Sequence, residues 1–266
     1  MKIGIDSYSY HVSLLVKRSL RIEDILRLSY ELGAKSILLE DTFLRINDIT
    51  QVRELLEYYE LEPVVSCSVG YVREGFSAQR AIKMTIRAMK ISTLLGAKVL
   101  KIVAGAFPHL PKDPQMKVLL RNLREILRYA KSYDIILALE NHGDLTTDEL
   151  LSIIKEISHE SLKIAFDTIN QLWLNEDPVL ALRRLFEYVI LVKLRDYIRM
   201  NSRIVDTILG RGDMELEAIL KYLLEQGYEG PIFVSIYLEK DDEEHAVKES
   251  IEYLRKLLKN LQEKIS

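Results

Sequence analysis

Two carboxylates at the ends of predicted strands are the side chains whose types and spacing best suit chemistry. Glu140 closes the apolar run 137–140, and Asp167 closes the run 164–167. If these strands are neighbours in a parallel sheet, both carboxylates point near one centre. Two unit charges about 4 Å apart repel by ~4 kcal/mol at an effective dielectric constant of about 20. We therefore expect a cation or an extra proton between them.

Three further side chains near predicted strand ends each have a chemical and a structural interpretation. His142 follows Glu140 by two residues, which suits a proton carrier or a ligand for a substrate oxygen, and equally suits a hydrogen bond within a loop. Lys101 could form a Schiff base if its pKa were lowered, although an ion pair to a neighbouring strand is the commoner arrangement. Trp173 could stack on a sugar face or pack at the rim.

The elements that must position these residues alternate along the chain. Short runs rich in Ile, Val and Leu predict strands, and longer amphipathic segments predict helices. The predicted strands cover residues 2–6, 36–40, 63–69, 98–104, 135–140, 163–167, 189–195 and 231–237. The predicted helices lie near residues 22–32, 50–60, 77–95, 116–132, 147–157, 178–187, 214–226 and 243–263.

Eight such units form either a closed barrel or an open doubly wound sheet. An open nucleotide-binding sheet needs a glycine-rich turn after its first strand, and here the polar segment 6–10 follows instead. This favours a (β/α)₈ TIM barrel. The 266 residues suit one barrel of about 250 residues, so we expect a single domain over residues 1–266. Such barrels place their chemistry at the carboxyl-terminal ends of the strands.

Composition narrows the function classes. A net charge of -3 argues against a nucleic-acid partner that needs a broad basic face. Cys67 is the single cysteine, so no disulfide forms within the chain, and cytoplasm is the expected location. The first apolar run is too short for a signal peptide, and no run approaches the ~20 residues of a membrane span. Abundant Ile, Leu, Lys, Glu and Arg are compatible with a heat-adapted source.

Five segments, in order along the chain, resemble the sugar phosphate isomerase/epimerase family of xylose-isomerase-like TIM barrels. They are LENHG at 139–143, AFDTIN at 165–170, KLRDY at 193–197, GRGD at 210–213 and GYEGP at 227–231. The resemblance implies an isomerase or epimerase of a small sugar, sugar phosphate or polyol. It also implies a divalent metal, Mn²⁺ or Mg²⁺, that polarises substrate oxygens while carboxylates move a proton.

The resemblance assigns only half of the family's metal ligands. Glu140 and Asp167 match the ligands on strands five and six, but Lys193 stands where the family has histidine and Ser235 where it has glutamate. A free lysine keeps its proton to a pKa of ~10.4, and an ammonium cannot ligate a metal. We therefore hypothesise that Lys193 replaces the metal as the cation that pairs the carboxylates, which gives a metal-independent site or a site that has lost isomerase chemistry. In an alternative alignment Glu239 retains the metal, which requires a large displacement along a strand rising ~3.3 Å per residue.

Two functions remain open. One is an isomerase or epimerase whose catalytic residues are Glu140, Asp167 and His142, with Lys193 as the electrophile. The other is a non-catalytic or altered barrel that binds a small carbohydrate-like ligand or acts as an interaction subunit. Ligand-binding candidates at the same rim are Glu40, Lys101, Asn170, Trp173, Arg195, Asp196 and Ser235, and His11 and His109 lie in predicted loops there.

Overall fold

The computed structural model describes residues 1–44, 49–72, 74–106, 111–201, 203–238 and 242–265. In chain order, its strands are β1 (Lys2–Asp6), β2 (Ser36–Glu40), β3 (Glu62–Cys67), β4 (Val99–Val103), β5 (Ile136–Glu140), β6 (Leu162–Asp167), β7 (Val189–Leu194), β8 (Asp196–Met200), β9 (Arg203–Thr207) and β10 (Pro231–Val234). Eight of these form a closed barrel in the order β1-β10-β7-β6-β5-β4-β3-β2. All neighbouring pairs in this barrel are parallel. The predicted (β/α)₈ barrel is confirmed.

Helices follow the strands around the outside of the barrel. They are α1 (Ile22–Glu31), α2 (Asp41–Leu44), α3 (Ile49–Tyr58), α4 (Gly75–Leu95), α5 (Lys112–Ser132), α6 (Thr147–Ile157), α7 (Pro178–Leu185), α8 (Leu216–Glu225) and α9 (Glu243–Ile265). In the part of the chain that is described, none of these helices combines the length and apolar character needed to cross a lipid bilayer.

Local sequence signals explain where several helices begin and end. Thr146 and Glu149 form a reciprocal capping box at the start of α6. Asp177 caps α7, whose first residue is Pro178, a position that tolerates the missing N–H. Gly96 ends α4 with φ at 76°, a left-handed conformation that glycine adopts without steric cost. The strands that follow these helices are thereby held in place.

The hairpin of β8 and β9 was not predicted from the sequence. It is antiparallel, with Asp196 paired to Thr207 and Met200 to Arg203, and it begins two residues after β7 ends. It therefore lies at the carboxyl-terminal rim of the barrel. The predicted eighth barrel strand is also shorter than expected, because β10 ends at Val234 instead of residue 237.

An apolar layer fills the lower interior of the barrel. Gly4 in β1 makes room for it, since a Cβ there would lie 2.6 Å from the ring of Phe233. The layer consists of Leu38, Val64, Ala138, Ala165, Leu191 and Phe233. These side chains are at most 6% exposed, so they form a packed floor beneath the rim.

Candidate functional site

A ring of polar side chains lies directly above the apolar floor. Side chains alternate along a strand, so successive inward positions are two residues apart. The next inward position is polar on all eight barrel strands and is at most 8% exposed. These residues, which we call the polar ring, are Asp6, Glu40, Ser66, Lys101, Glu140, Asp167, Lys193 and Ser235. The ring thus holds four carboxylates and two ammonium groups.

Lys193 is the centre of one half of the polar ring. Its Nζ donates to Glu140 Oε1 at 2.9 Å and to the hydroxyl of Tyr237 at 2.6 Å. It also lies 3.3 Å from Asp167 Oδ2 and 3.5 Å from Asp6 Oδ2. A register shift in β6 at Ile164 and Ala165 sets Asp167 opposite Lys193. The three ammonium hydrogens therefore have acceptors on four different side chains.

The electrostatics of this half favour ionised groups. Burial lowers the pKa of Lys193, but the surrounding Glu140, Tyr237, Asp6 and Asp167 raise it further, so it lies well above its ordinary value. Burial raises the pKa of Glu140, but Lys101 and Lys193 outweigh that effect and hold it well below its ordinary value. Lys193 therefore keeps its positive charge at neutral pH, and Glu140 keeps its negative charge.

Lys101 is the centre of the other half. Its Nζ donates to Glu140 Oε2 at 3.0 Å and lies 3.8 Å from Glu40 Oε1. Burial lowers the pKa of Lys101, yet the two carboxylates raise it above the ordinary value. A Schiff-base lysine needs the opposite shift. Glu40 has a raised pKa because the effect of burial exceeds the opposing effect of Lys101.

His142 contacts the same carboxylate from above. Its Nδ1 lies 2.9 Å from Glu140 Oε2, the oxygen that also accepts from Lys101. An ionised carboxylate can only accept, so Nδ1 carries the hydrogen and Nε2 has a free lone pair when the ring is neutral. Half of the His142 side chain is exposed, whereas Glu140 is fully buried. His142 is therefore an accessible base supported by a buried carboxylate.

Arg195 joins the polar ring to the β8–β9 hairpin. Its Nε and Nη2 donate to the two carboxylate oxygens of Asp206 at 3.0 and 2.7 Å. Its Nη1 lies 3.3 Å from both Asp167 Oδ2 and Asn170 Oδ1, and its guanidinium lies 4.1 Å from the ring centroid of Tyr237. Burial raises the pKa of Asp206 despite this pairing. This bidentate pair between Arg195 and Asp206 fixes the hairpin over one side of the mouth.

Ser235 contacts a carboxylate, Asp6, that was not among the candidate site residues predicted from the sequence. Its Oγ donates to Asp6 Oδ2 at 2.6 Å, and the Tyr237 hydroxyl donates to the same oxygen at 3.3 Å. Asp6 Oδ1 accepts from the backbone N–H of Tyr8. The available signal was a polar residue at the end of β1, which is equally typical of a helix cap.

Other predicted site residues lie away from the polar ring. The carboxylate of Asp196 accepts from backbone N–H groups of residues 197, 210, 212 and 214, so it orders the turn before α8. Trp173 is 55% exposed and packs beside Gly143. His11 Nδ1 lies 3.0 Å from the carbonyl oxygen of Tyr8. Glu239 and His109 lie outside the described residues.

The divalent ion implied by the resemblance does not fit these side chains. Nζ of Lys193 lies between Glu140 and Asp167, where it fills the position of an ion and repels a second cation. Where the family has a carboxylate ligand, Ser235 has a hydroxyl, and this hydroxyl already donates a hydrogen bond to Asp6. Among the residues with described coordinates, no three His, Cys, Asp or Glu side chains are grouped so that they could hold a metal.

Comparison with known proteins agrees with the closed barrel. The family model described as xylose isomerase-like TIM barrel matches residues 23–257. The chain belongs to this family. The protein MJ1311 of Methanocaldococcus jannaschii is 27% identical over all of this chain and 92% of its own length. The uncharacterized protein YihM of Escherichia coli K12 is 31% identical, over 41% of this chain and about a third (34%) of its own length.

Several solved structures share the fold at low identity. A D-tagatose 3-epimerase-like protein has a TM-score of 0.81 and 22% identity, with 100% of both chains covered. L-ribulose 3-epimerase has a TM-score of 0.83 and 16% identity, covering 99% of this chain and 96% of its own. The IolI protein, solved with a zinc atom, has a TM-score of 0.84 and 15% identity, covering 98% and 99%. Barrels of the same fold thus include epimerases and a protein solved with a bound zinc atom.

Proposed function

We propose that this protein binds a small carbohydrate-like molecule at the mouth of the barrel and catalyses an isomerisation or epimerisation by proton transfer. The observation that carries the proposal is the geometry at Glu140. One carboxylate oxygen accepts from both Lys101 and His142, so a cationic donor and an exposed base lie side by side. These are the two groups needed to remove a proton from a carbon next to a carbonyl.

His142 is the proposed base. Nε2 takes the proton from the ligand carbon, and the electron pair of the broken C–H bond forms the C=C bond of an enediolate. The negative charge then develops on the former carbonyl oxygen. Glu140 stabilises the resulting imidazolium through Nδ1, as a buried carboxylate does in other histidine-based sites.

Lys101 is the proposed donor to the developing oxyanion. Its single hydrogen bond within the described part of the chain goes to Glu140, so its remaining N–H groups are available to a ligand. Lys193 was the predicted electrophile, but its hydrogens are already shared among Glu140, Tyr237, Asp6 and Asp167. Lys101 therefore takes the electrophilic role in this proposal.

Glu40 is the proposed proton donor on the other side of Lys101. Its raised pKa means that it holds a proton to higher pH than a solvated glutamate. Return of the proton to the neighbouring carbon by imidazolium gives isomerisation, when the hydroxyl proton of the first carbon passes to the oxyanion and the new carbonyl forms on the first carbon. Delivery by Glu40 to the opposite face of the original carbon gives epimerisation.

Deuterium exchange tests this proton transfer whichever product is formed. The protein is incubated in D₂O with D-tagatose, L-ribulose and an inosose, the compound classes named for its relatives. NMR then detects deuterium bound to carbon. We expect exchange with at least one ketose. His142→Gln should lower the exchange rate about 10²- to 10⁴-fold, because glutamine has a polar amide in place of the imidazole and cannot take up the proton.

The matched control is His245→Gln. His245 is also more than half exposed and also pairs with a glutamate, Glu249, but it lies on α9, outside the polar ring. Its substitution should leave the exchange rate unchanged. Equal exchange by wild type and His142→Gln would contradict the assignment of the base.

A second candidate function is ligand binding without catalysis. It is favoured by the nearly complete burial of the polar ring and by the full engagement of Lys193. In that case sugars should raise the thermal unfolding midpoint without any carbon-bound deuterium. Exchange above the uncatalysed rate would exclude this candidate.

A further inference from the structure

We propose that the ammonium group of Lys193 has replaced a metal ion in this barrel, and that Lys193 and Ser235 are together sufficient to exclude the metal. The proposal concerns cation binding alone and does not rest on the proton transfer above. Its supporting observation is the position of Nζ of Lys193, near carboxylate oxygens from three strands.

The carboxylates around Lys193 are of the chemical type that binds a hard cation, although they surround an ammonium group and are not spaced to hold a metal as they stand. Asp6, Glu140 and Asp167 come from β1, β5 and β6, and their nearest oxygens lie 2.9 to 3.5 Å from Nζ. Carboxylate oxygens are the preferred ligands of Mg²⁺ and Mn²⁺. All three side chains are fully buried, so they cannot turn to solvent to relieve their mutual repulsion. Some positive charge must lie between them.

Lys193 supplies that charge from within the chain. Its side chain is 3% exposed, and its Nζ also donates to the hydroxyl of Tyr237, which helps to hold it in place. A lysine that moved aside to admit a metal would lose this hydrogen bond and leave its ammonium buried without acceptors. Such an unpaired buried charge is strongly unfavourable.

Ser235 completes the replacement. Its hydroxyl donates to Asp6 Oδ2 at 2.6 Å and so stabilises the Asp6 carboxylate. The family resemblance expects a glutamate at this position. A glutamate there would add a further negative charge to the group around Lys193. With serine at position 235, the negative charge around the site suits a monovalent cation. With glutamate there, the additional negative charge would suit a divalent cation.

Mn²⁺ binding by four proteins tests the proposal. They are the wild type, Lys193→Ala, the double variant Lys193→His with Ser235→Glu, and Lys101→Ala as the control. Lys101 is an equally buried ring lysine that also pairs with Glu140, but its loss leaves Lys193 in place. Binding is measured by isothermal titration calorimetry, and thermal unfolding is followed with and without Mn²⁺.

We expect saturable binding of one Mn²⁺ by the double variant, at least about a hundredfold tighter than by the wild type, since even outer-shell changes alter metal affinity 10- to 100-fold. Lys193→Ala should unfold at a lower temperature and regain stability with Mn²⁺, because a ligand that binds only the folded state stabilises it. Wild type and Lys101→Ala should show no such Mn²⁺-dependent gain.

Two results would overturn the proposal. The first is tight binding of one Mn²⁺ by the wild type with Glu140 and Asp167 as ligands. The second is the absence of any Mn²⁺-dependent folding or stabilisation in both Lys193 variants. If Lys193→Ala does not fold without metal, the double variant carries the test, because its imidazole fills part of the vacated space.

Discussion

The two halves of the polar ring share Glu140 and contain one buried lysine each, yet they use that lysine differently. Around Lys193, a single ammonium group donates hydrogen bonds to Glu140 and Tyr237 and lies within ion-pair distance of Asp6 and Asp167. Around Lys101, one hydrogen bond to Glu140 and a longer ion pair to Glu40 leave donor capacity free. Lys193 is therefore held by several acceptors, whereas Lys101 has fewer hydrogen-bond partners among the described residues.

This difference does not come from the adjacent strands, because each lysine has one acidic ring residue there: Asp167 on β6 for Lys193 and Glu140 on β5 for Lys101. Nζ of Lys193 also lies near Asp6 of β1 and Glu140 of β5, two strands that are not adjacent to β7. A lysine among several carboxylates becomes a fixed counter-ion. A lysine with fewer partners keeps unsatisfied N–H groups, which is the condition for binding an oxyanion.

The largest effect on stability is expected for Lys193→Met. Methionine has a similar length but no charge, so Asp6 would lose its ammonium partner, and Glu140 and Asp167 would keep only Lys101 and Arg195 as cationic partners. Removing one partner of a buried ion pair costs about 3–5 kcal/mol in the free energy of unfolding. Urea denaturation measures this loss, and a change below that of Lys101→Met would contradict the fixed role of Lys193.

Lys101→Met should have an intermediate effect. Its main lost interaction is one charged hydrogen bond to Glu140, which contributes about 1.5–3 kcal/mol. Glu140 would still be paired with Lys193. The same variant should abolish most deuterium exchange if Lys101 polarises the carbonyl. Retention of full exchange together with this loss of stability would make Lys101 a second structural lysine.

Glu40→Gln should change stability little and in a pH-dependent direction. The raised pKa of Glu40 means that its stabilising contribution is present below its unfolded pKa of ~4.3 and is lost as the pH rises through the folded value. The glutamine variant does not titrate, so its stability does not fall with rising pH in this way. Relative to wild type, it should therefore be more stable at pH 8 than at pH 4. The opposite pH trend in urea titrations would show that the pKa of Glu40 is lowered, and not raised, in the folded protein.

The smallest effect is expected outside the barrel, for Glu57→Gln. Glu57 accepts from Arg53 at 2.8 Å on α3, and both side chains are more than half exposed. Exposed pairs of this spacing contribute about 0.3–0.5 kcal/mol. Thermal unfolding of this variant provides the baseline against which the ring variants are judged. A loss as large as that of Lys101→Met would remove the distinction between buried and exposed pairs.

Much of the fold could be predicted because the βα alternation is repeated eight times. Each barrel strand was found near its predicted position, since runs of Ile, Val and Leu bounded by helices have few other interpretations. The β8–β9 hairpin was missed because its segment, 196–207, alternates charged, aromatic and aliphatic residues without a long apolar run. Asp206, which holds Arg195, was missed with it.

The site could be predicted only in part, for geometric reasons. Glu140, Asp167 and Lys193 were placed together because they end adjacent strands, and the structure brings their charged atoms within hydrogen-bonding or ion-pair distance. Which lysine has free hydrogens depends on distances that strand parity does not give. Asp6 and Tyr237 stood among many polar residues at strand ends, where helix caps give the same signal.

The most direct test of the central claim is anomalous X-ray diffraction from wild-type crystals grown with millimolar Mn²⁺ and measured at the manganese absorption edge. The account predicts no anomalous peak between Glu140 and Asp167, with the electron density of Lys193 Nζ at that position. A manganese peak ligated by Glu140 and Asp167, with the Lys193 side chain displaced, would contradict it.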